Sequence, residues 1–173
     1  MARRLVLIRH AKSDWSEPVS DRERPVSSRG RRQAPAIGTW LRAQDMVPEL
    51  ALVSPARRAS ETWDLVASGI GDAVSRDGAP PVVQRAVEAY TFDGDDLMRL
   101  IHTVPIEREI VALVGHNPAI EELLEMLTGA DQPMPTSSLA VIDPGTIPWS
   151  ELTAGARLVT AGRPSDGPLR ALA

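Results

Sequence analysis

Short, uninterrupted runs of apolar residues recur along the chain, and each is followed at once by polar or charged residues. These runs occupy residues 5–8, 50–53, 82–83 and 110–114. A run of Leu, Val and Ile without polar alternation is typical of a strand buried on both faces of a sheet. The first run therefore predicts a buried strand between Met1 and His10, and the others predict the second, third and fourth strands.

Between these runs, hydrophobic residues recur at the spacing of an amphipathic helix. Four helices are predicted, at about 27–44, 57–70, 95–104 and 118–127. Ser27 or Ser28 is suited to cap the first helix, whereas Pro35 and Gly38 inside it are expected to bend or weaken it. Pro118 suits the first turn of the last helix.

Two further strands are predicted at 138–142 and 157–161, antiparallel or at an edge of the sheet. Strands that alternate with helices are typical of α/β proteins. We therefore expect an α/β fold, a three-layer α/β/α sandwich around a mainly parallel central sheet. The polar segment 11–25 is expected to form an exposed loop, and 163–173 a peripheral tail.

Length and composition limit the classes of protein to which this chain can belong. A chain of 173 residues is the usual size of one domain, so 1–173 is expected to be a single domain. The net charge of −4 gives no indication of nucleic-acid binding, and no apolar run reaches the roughly 18 residues of a membrane span. The absence of cysteine excludes disulfides and a cysteine nucleophile. The first residues do not form a signal peptide, so a cytoplasmic location is expected.

Three of the predicted strands end in residues suited to binding an anion. Arg9 and His10 follow the first strand, Arg57 follows the second, and His116 follows the fourth. Because the carboxyl ends of parallel strands meet at one edge of a sheet, these side chains can converge. Two guanidinium groups and two imidazoles around one cavity would bind phosphate, since arginine grips phosphate oxygens with two parallel hydrogen bonds.

A histidine in such a cavity is expected to be neutral, because a nearby cation disfavours the imidazolium form. A neutral imidazole is a nitrogen nucleophile, and the arginines would offset the charge on the phosphoryl oxygens. The three histidines of the chain lie far apart in sequence and lack the spacing of metal ligands. The sequence therefore predicts a phosphoryl-transfer site that needs no metal and no cofactor.

The same segments resemble the motifs of the histidine phosphatase superfamily, which has a phosphoglycerate-mutase-like fold. Residues 7–11, Leu-Ile-Arg-His-Ala, look like its Arg-His-Gly signature with alanine in place of glycine. The Lys-Ser that follows, with Trp15, is closer to the SixA-type phosphohistidine phosphatase branch. Further similar segments are RPVSSRG at 24–30, SPARRA at 54–59, VGHNP at 114–118 and PTSS at 135–138. The resemblance covers about 5–142.

The resemblance implies roles for individual residues. His10 would attack phosphorus and become phosphohistidine, while Arg9, Arg57 and His116 would hold the phosphoryl oxygens. Arg58 is expected to point elsewhere, toward solvent or a carboxylate partner.

The resemblance also suggests substrate-binding residues and a general acid, from their positions relative to the motifs. Ser16 stands where the superfamily often has asparagine, and Ser16 and Lys12 are both candidate substrate-binding residues. Relatives carry a carboxylate general acid after the third strand, and Glu88 is the best positional candidate for it here. The alternatives are Asp93, Asp95 and Asp96.

The predicted activity is that of a metal-independent phosphatase acting through a covalent phosphohistidine at His10. The substrate would be a phosphorylated histidine of a protein, as in the SixA-type branch, or a sugar or other metabolite phosphate. The chain has no large insertion to act as a lid. A shallow site without a lid would suit either of these substrates. A catalytically idle phosphate-binding scaffold is the third hypothesis, and the intact basic groups count against it. A mutase would need a more closed pocket. Neither nucleic acid nor a membrane is an expected partner.

Overall fold

The computed structural model describes residues 3–172, so the first two residues of the predicted strand 1 and the last residue of the predicted tail lie outside it. Within this range a single sheet forms from six strands: β1 Arg4–Arg9, β2 Leu50–Val53, β3 Val82–Arg85, β4 Ile110–Gly115, β5 Leu139–Asp143 and β6 Arg157–Gly162. The strand order is β3-β2-β4-β1-β5-β6. The first four strands are parallel, and β5 and β6 run antiparallel at one side. The predicted mainly parallel sheet is confirmed.

Helices cover both faces of this sheet. They are α1 Ser28–Gln33, α2 Pro35–Ala43, α3 Arg57–Ile70, α4 Gly94–His102 and α5 Ala119–Thr128. Side chains of β1 alternate between the faces, because successive residues of a strand point in opposite directions. Leu5 and Leu7 pack with α4 and α5 in one apolar cluster, whereas Val6 and Ile8 pack with α2 and α3 in a second. The three-layer α/β/α sandwich is therefore confirmed.

The first predicted helix is divided into α1 and α2. Ser27 caps α1, its hydroxyl oxygen accepting a hydrogen bond from the backbone N–H of Gly30. Pro35 begins α2, since proline suits a first turn but interrupts a helix interior. Gly38 has a different reason to be present, because a Cβ there would lie 1.8 Å from the carbonyl oxygen of Val66. This glycine lets α2 pack directly against the backbone of α3.

The parallel strands bring the candidate chemistry to one edge of the sheet. Arg9 at the end of β1 pairs with Gly115 at the end of β4, and Val53 at the end of β2 pairs with Val114. The residues that follow these three strands therefore lie side by side. None of the helices in residues 3–172 combines the length and apolar character needed to cross a membrane.

Candidate active site

His10 is the first residue after β1, and its geometry fixes which ring nitrogen is free. Its Nδ1 lies 2.8 Å from the carbonyl oxygen of Ala11. Because a carbonyl oxygen only accepts, Nδ1 carries the proton and donates it there. The Nε2 atom then holds a lone pair, and the Nε–H of Arg58 approaches it at 3.4 Å. His10 as a whole is only 8% exposed.

His116 follows β4 and faces His10, with 5.1 Å between the ring centroids. Its Nδ1 lies 3.2 Å from Nη2 of Arg58, and its Nε2 lies 2.8 Å from the hydroxyl oxygen of Ser54. Since a guanidinium only donates, Nδ1 accepts, and Nε2 carries the proton and donates to Ser54. Both histidines are thereby held as neutral rings of opposite tautomer.

Arg58, and not Arg57, is the arginine that α3 delivers to the site. Arg58 is buried and donates to both imidazoles. Arg57 is exposed, and its Nε–H donates to Glu61 at 3.0 Å. The expectation that Arg58 points away from the site is therefore wrong, although its carboxylate partner is present in Asp21. The structure gives no support to Arg57 as a phosphoryl-binding residue.

Arg57 and Arg58 face different sides of α3, because consecutive residues of a helix point about 100° apart around its axis. Thr62, one turn after Arg58, shows which side of α3 faces the site. Its hydroxyl donates to the carbonyl of Arg58 at 2.6 Å and accepts the N–H of Ala11 at 2.9 Å. A threonine four residues after the second arginine is the sequence signal that distinguishes Arg58 from Arg57.

Arg9 lies at the same edge and is held by the loop before β5. Its Nη1–H donates to the carbonyl of Met134 at 2.9 Å. That loop is fixed by Glu121, whose carboxylate accepts from the N–H of Met134 and from the amide of Asn117, each at 2.7 Å. The Nε–H of Arg9 is buried and has no partner within residues 3–172. It is therefore a buried donor without a partner in this range, at the carboxyl edge of the sheet.

Asp21 is linked to both histidines through Arg58, and it lies in the segment predicted to be an exposed loop. It accepts hydrogen bonds from Nη2 of Arg58 at 3.0 Å and from the hydroxyl of Tyr90 at 2.7 Å, and it pairs with Arg24. Burial alone would raise the pKa of Asp21, but the hydrogen bonds from Tyr90 and Arg58 outweigh burial and lower it. Asp21 is thus a carboxylate that orients Arg58.

Glu88 lies on a short 3₁₀ turn, Val87–Ala89, and its side chain is exposed. It lines a cavity of about 660 Å³ beside Tyr90 that does not include either histidine. Asp93 caps α4 by accepting the N–H of Asp95, and Asp96 bonds to other residues of its own segment. Within the described chain, none of these four carboxylates forms a hydrogen bond or ion pair with either histidine. The structure gives no support to Glu88 as the general acid.

Lys12 and Ser16, the predicted substrate contacts, lie in the loop after His10 and are both exposed. The carbonyl of Lys12 accepts the N–H of Ser27 at 2.7 Å, and the N–H of Ser16 donates to Asp14 at 2.8 Å. Neither side chain forms a hydrogen bond with His10, Arg58 or His116 in residues 3–172. Their role as substrate-binding residues stays a prediction.

The protonation state of the histidines follows from their surroundings. The pKa of His10 is lowered to about 4, chiefly by burial; the hydrogen bond to the Ala11 carbonyl opposes this lowering, and the charges of Arg58 and Arg9 add to it. Burial also lowers the pKa of His116 to about 3, with additional contributions from His10 and Arg58. Both rings are therefore neutral at neutral pH, and Nε2 of His10 has a lone pair available for attack on phosphorus.

The pH dependence of the two rings can be measured by NMR in the free protein. We expect ¹⁵N shifts to show Nδ1–H on His10 and Nε2–H on His116, unchanged as the pH falls from about 8 to about 5. Because both pKa values lie below that of unfolded histidine, the unfolded chain binds more protons below about pH 6.5, and stability falls from there downward. A His10 ring that titrates near pH 6.5, assigned with His10→Ala, would contradict this description.

Comparison with known proteins adds an independent line of evidence. Residues 5–79 match the family model of the histidine phosphatase superfamily (branch 1). An uncharacterized protein of Mycobacterium tuberculosis, Rv1276c, is 32% identical over 152 residues, which cover 78% of this chain and 85% of that protein.

Solved structures with the same fold cover nearly the whole chain. One is a protein from Nakamurella multipartitia assigned as phosphohistidine phosphatase SixA, with a TM-score of 0.79, 27% identity, and coverage of 95% of this chain and 97% of that one. Another, from Agrobacterium tumefaciens with the same assignment, has a TM-score of 0.73, 29% identity, and coverage of 93% and 97%. The structural similarity therefore extends over nearly the whole α/β sandwich.

Proposed function

Because the chain belongs to the histidine phosphatase superfamily and is a phosphatase of its SixA-type branch, we propose that it hydrolyses phosphohistidine through a covalent phosphoryl group on His10. The observation that carries this proposal is the neutral His10 ring. Its proton is directed to the carbonyl of Ala11, and its Nε2 lone pair lies against the guanidinium of Arg58.

In the first step, the Nε2 lone pair of His10 attacks phosphorus, and the bond between phosphorus and the leaving nitrogen breaks. The electron pair of that bond goes to the leaving imidazole. The guanidinium groups of Arg58 and Arg9 donate to the phosphoryl oxygens, where they offset the negative charge. His116 lies against the same guanidinium as His10, and we propose that it lines the opposite side of the phosphoryl group.

In the second step, water attacks the phosphorus of phosphorylated His10. The bond from phosphorus to Nε2 breaks, and its electron pair returns to Nε2. The water oxygen becomes the fourth oxygen of inorganic phosphate, and its two protons leave with that product, which then exchanges them with solvent. His10 keeps the Nδ1 proton throughout, since the carbonyl of Ala11 still accepts it. The ring is therefore returned to its starting tautomer, ready for another substrate.

The lack of a positioned general acid among the carboxylates described above favours phosphohistidine over an alkyl phosphate as substrate. An alkoxide leaving group needs a proton at the breaking bond, normally from a positioned acid. Asp21, which is linked to both histidines through Arg58, has a lowered pKa and accepts hydrogen bonds from Arg58 and Tyr90. A leaving imidazole can instead take its proton from solvent on the nitrogen remote from phosphorus, so the site needs no such acid.

The substrate class is tested by comparing kcat/KM for a histidine-phosphorylated protein with kcat/KM for a panel of sugar and other metabolite phosphates, with EDTA present. We expect the phosphohistidine protein to exceed the best alkyl phosphate by about tenfold or more, as the missing acid contributes on the order of 10²-fold for alkoxides. A sugar phosphate as the best substrate would contradict the proposal and indicate a phosphomonoesterase. Binding of phosphate without any turnover would contradict it in favour of a scaffold.

A further inference from the structure

The aromatic residues of this chain are few, and two of them lie at the candidate active site. The chain has one tyrosine and one phenylalanine, and aromatic residues make up 3% of it. The ring of Tyr90 lies 5.5 Å from the ring of His116, and the ring of Phe92 lies 6.2 Å from it. The tyrosine and phenylalanine rings are 6.5 Å apart. Tyr90 and Phe92 therefore form an aromatic wall on one side of His116.

Phe92 is poorly placed for a purely structural role. Its surface is 56% exposed, whereas His116 beside it is 1% exposed. Single exposed apolar residues are common and need no explanation. This one, however, spans the distance from solvent to a buried histidine of the site and belongs to a cluster of rings.

The backbone around Phe92 is held firmly, which is a requirement for a binding surface. The hydroxyl of Thr91 donates to Asp96 at 2.6 Å and accepts the N–H of Asp93 at 3.1 Å. Behind Phe92, the ring of Tyr90 is fixed by its hydrogen bond to Asp21. The exposed ring therefore projects from a turn that is organised before any substrate binds.

We propose that Phe92, supported by Tyr90, is a specificity-determining residue that receives a planar leaving group. Aromatic rings attract other planar rings in stacked or edge-to-face geometry at centroid distances of about 4.5–7 Å. The imidazole of phosphohistidine is such a group, and so is the ring of an aryl phosphate. This inference deepens the proposed function and depends on His10 as the phosphoryl acceptor.

The test compares benzyl phosphate with cyclohexylmethyl phosphate. Both release alcohols of similar basicity and size, so they differ mainly in whether the ring is planar. In Phe92→Ala we expect the ratio of kcat/KM for benzyl to cyclohexylmethyl phosphate to fall about three- to tenfold from its wild-type value. Phe92→Leu, which keeps apolar bulk without a planar ring, should show a similar fall.

Two outcomes would overturn the inference. One is a ratio that Phe92→Ala leaves unchanged, and the other is a wild-type ratio that Phe92→Leu fully retains. Thermal melting of both variants checks that each remains folded. Failure of the proposed substrate class would appear separately, as poor turnover of the phosphohistidine protein by the wild type. The ratio of kcat/KM for benzyl phosphate to that for cyclohexylmethyl phosphate can still be measured in that case.

Discussion

Replacing His10 with alanine is expected to lower kcat on the order of 10³-fold or more, because it removes the atom that forms the covalent intermediate. The remaining groups can still bind and polarise a phosphoryl group, so some binding of inorganic phosphate should persist. The measurement is steady-state turnover of an aryl phosphate and of a histidine-phosphorylated protein, with EDTA present.

His102 provides the matched control for this variant. It is the last residue of α4, and its Nε2 lies 2.7 Å from the carbonyl oxygen of Leu152. We expect His102→Ala to change kcat by less than about twofold, since it makes no contact with the proposed reacting atoms. If His10→Ala retained wild-type turnover, or if both variants lost activity equally, the assignment of His10 as nucleophile would be wrong.

Removing Arg58 is expected to have the second largest effect. Arg58→Ala should lower kcat about 10²- to 10³-fold, as does the loss of one strong donor to a transition-state oxyanion. Arg57→Ala should lower it by less than about twofold, because Arg57 pairs with Glu61 at the surface. The two variants delete the same kind of side chain at adjacent positions, so the pair tests directly which arginine of α3 faces the histidines.

Stability must be measured alongside the arginine variants. Arg58 is buried and paired with Asp21, and its loss leaves that carboxylate with one donor fewer. Arg58→Lys, which retains the charge but not the planar fork, should be intermediate in activity. A larger loss from Arg57→Ala than from Arg58→Ala would contradict the site described here.

The fold class follows from apolar runs that alternate with segments of helical spacing. The unbroken apolar runs at 50–53 and 110–114 fit strands with helices on both faces, and the structure places them as β2 and β4 of the parallel part of the sheet. Parallel strands share a carboxyl edge, so His10 and His116 meet although they are far apart in sequence. The convergence of the two histidines was therefore predictable from the parallel orientation of the strands, whereas the order that makes β1 and β4 neighbours was not.

The sequence does not indicate two kinds of site residue. One kind depends on which side of a helix the residue faces, and the other depends on the path of a loop. Arg57 and Arg58 have the same chemistry, and one step of about 100° around α3 decides which of them is buried. Asp21 lies in a polar segment without periodicity, and its role depends on contacts with Arg58 and Tyr90 from two distant parts of the chain. No local pattern encodes such contacts.

Glu88 illustrates a third limit of the sequence. Its position after the third strand suggests a general acid, but the carboxylate is exposed and lines a separate cavity. Position along the chain fixes which edge of the sheet a residue approaches. It does not fix the direction of a side chain on a short turn.

The covalent intermediate itself provides the most direct test of the account. Wild-type protein would be mixed with a phosphorylated substrate, quenched within milliseconds in base, and digested for peptide mass spectrometry at alkaline pH, where phosphohistidine survives. We predict one phosphoryl group on His10, on Nε2, labile to acid and absent from His10→Ala. A phosphoryl group on another residue, or full turnover with no phosphorylated peptide at any quench time, would contradict the account.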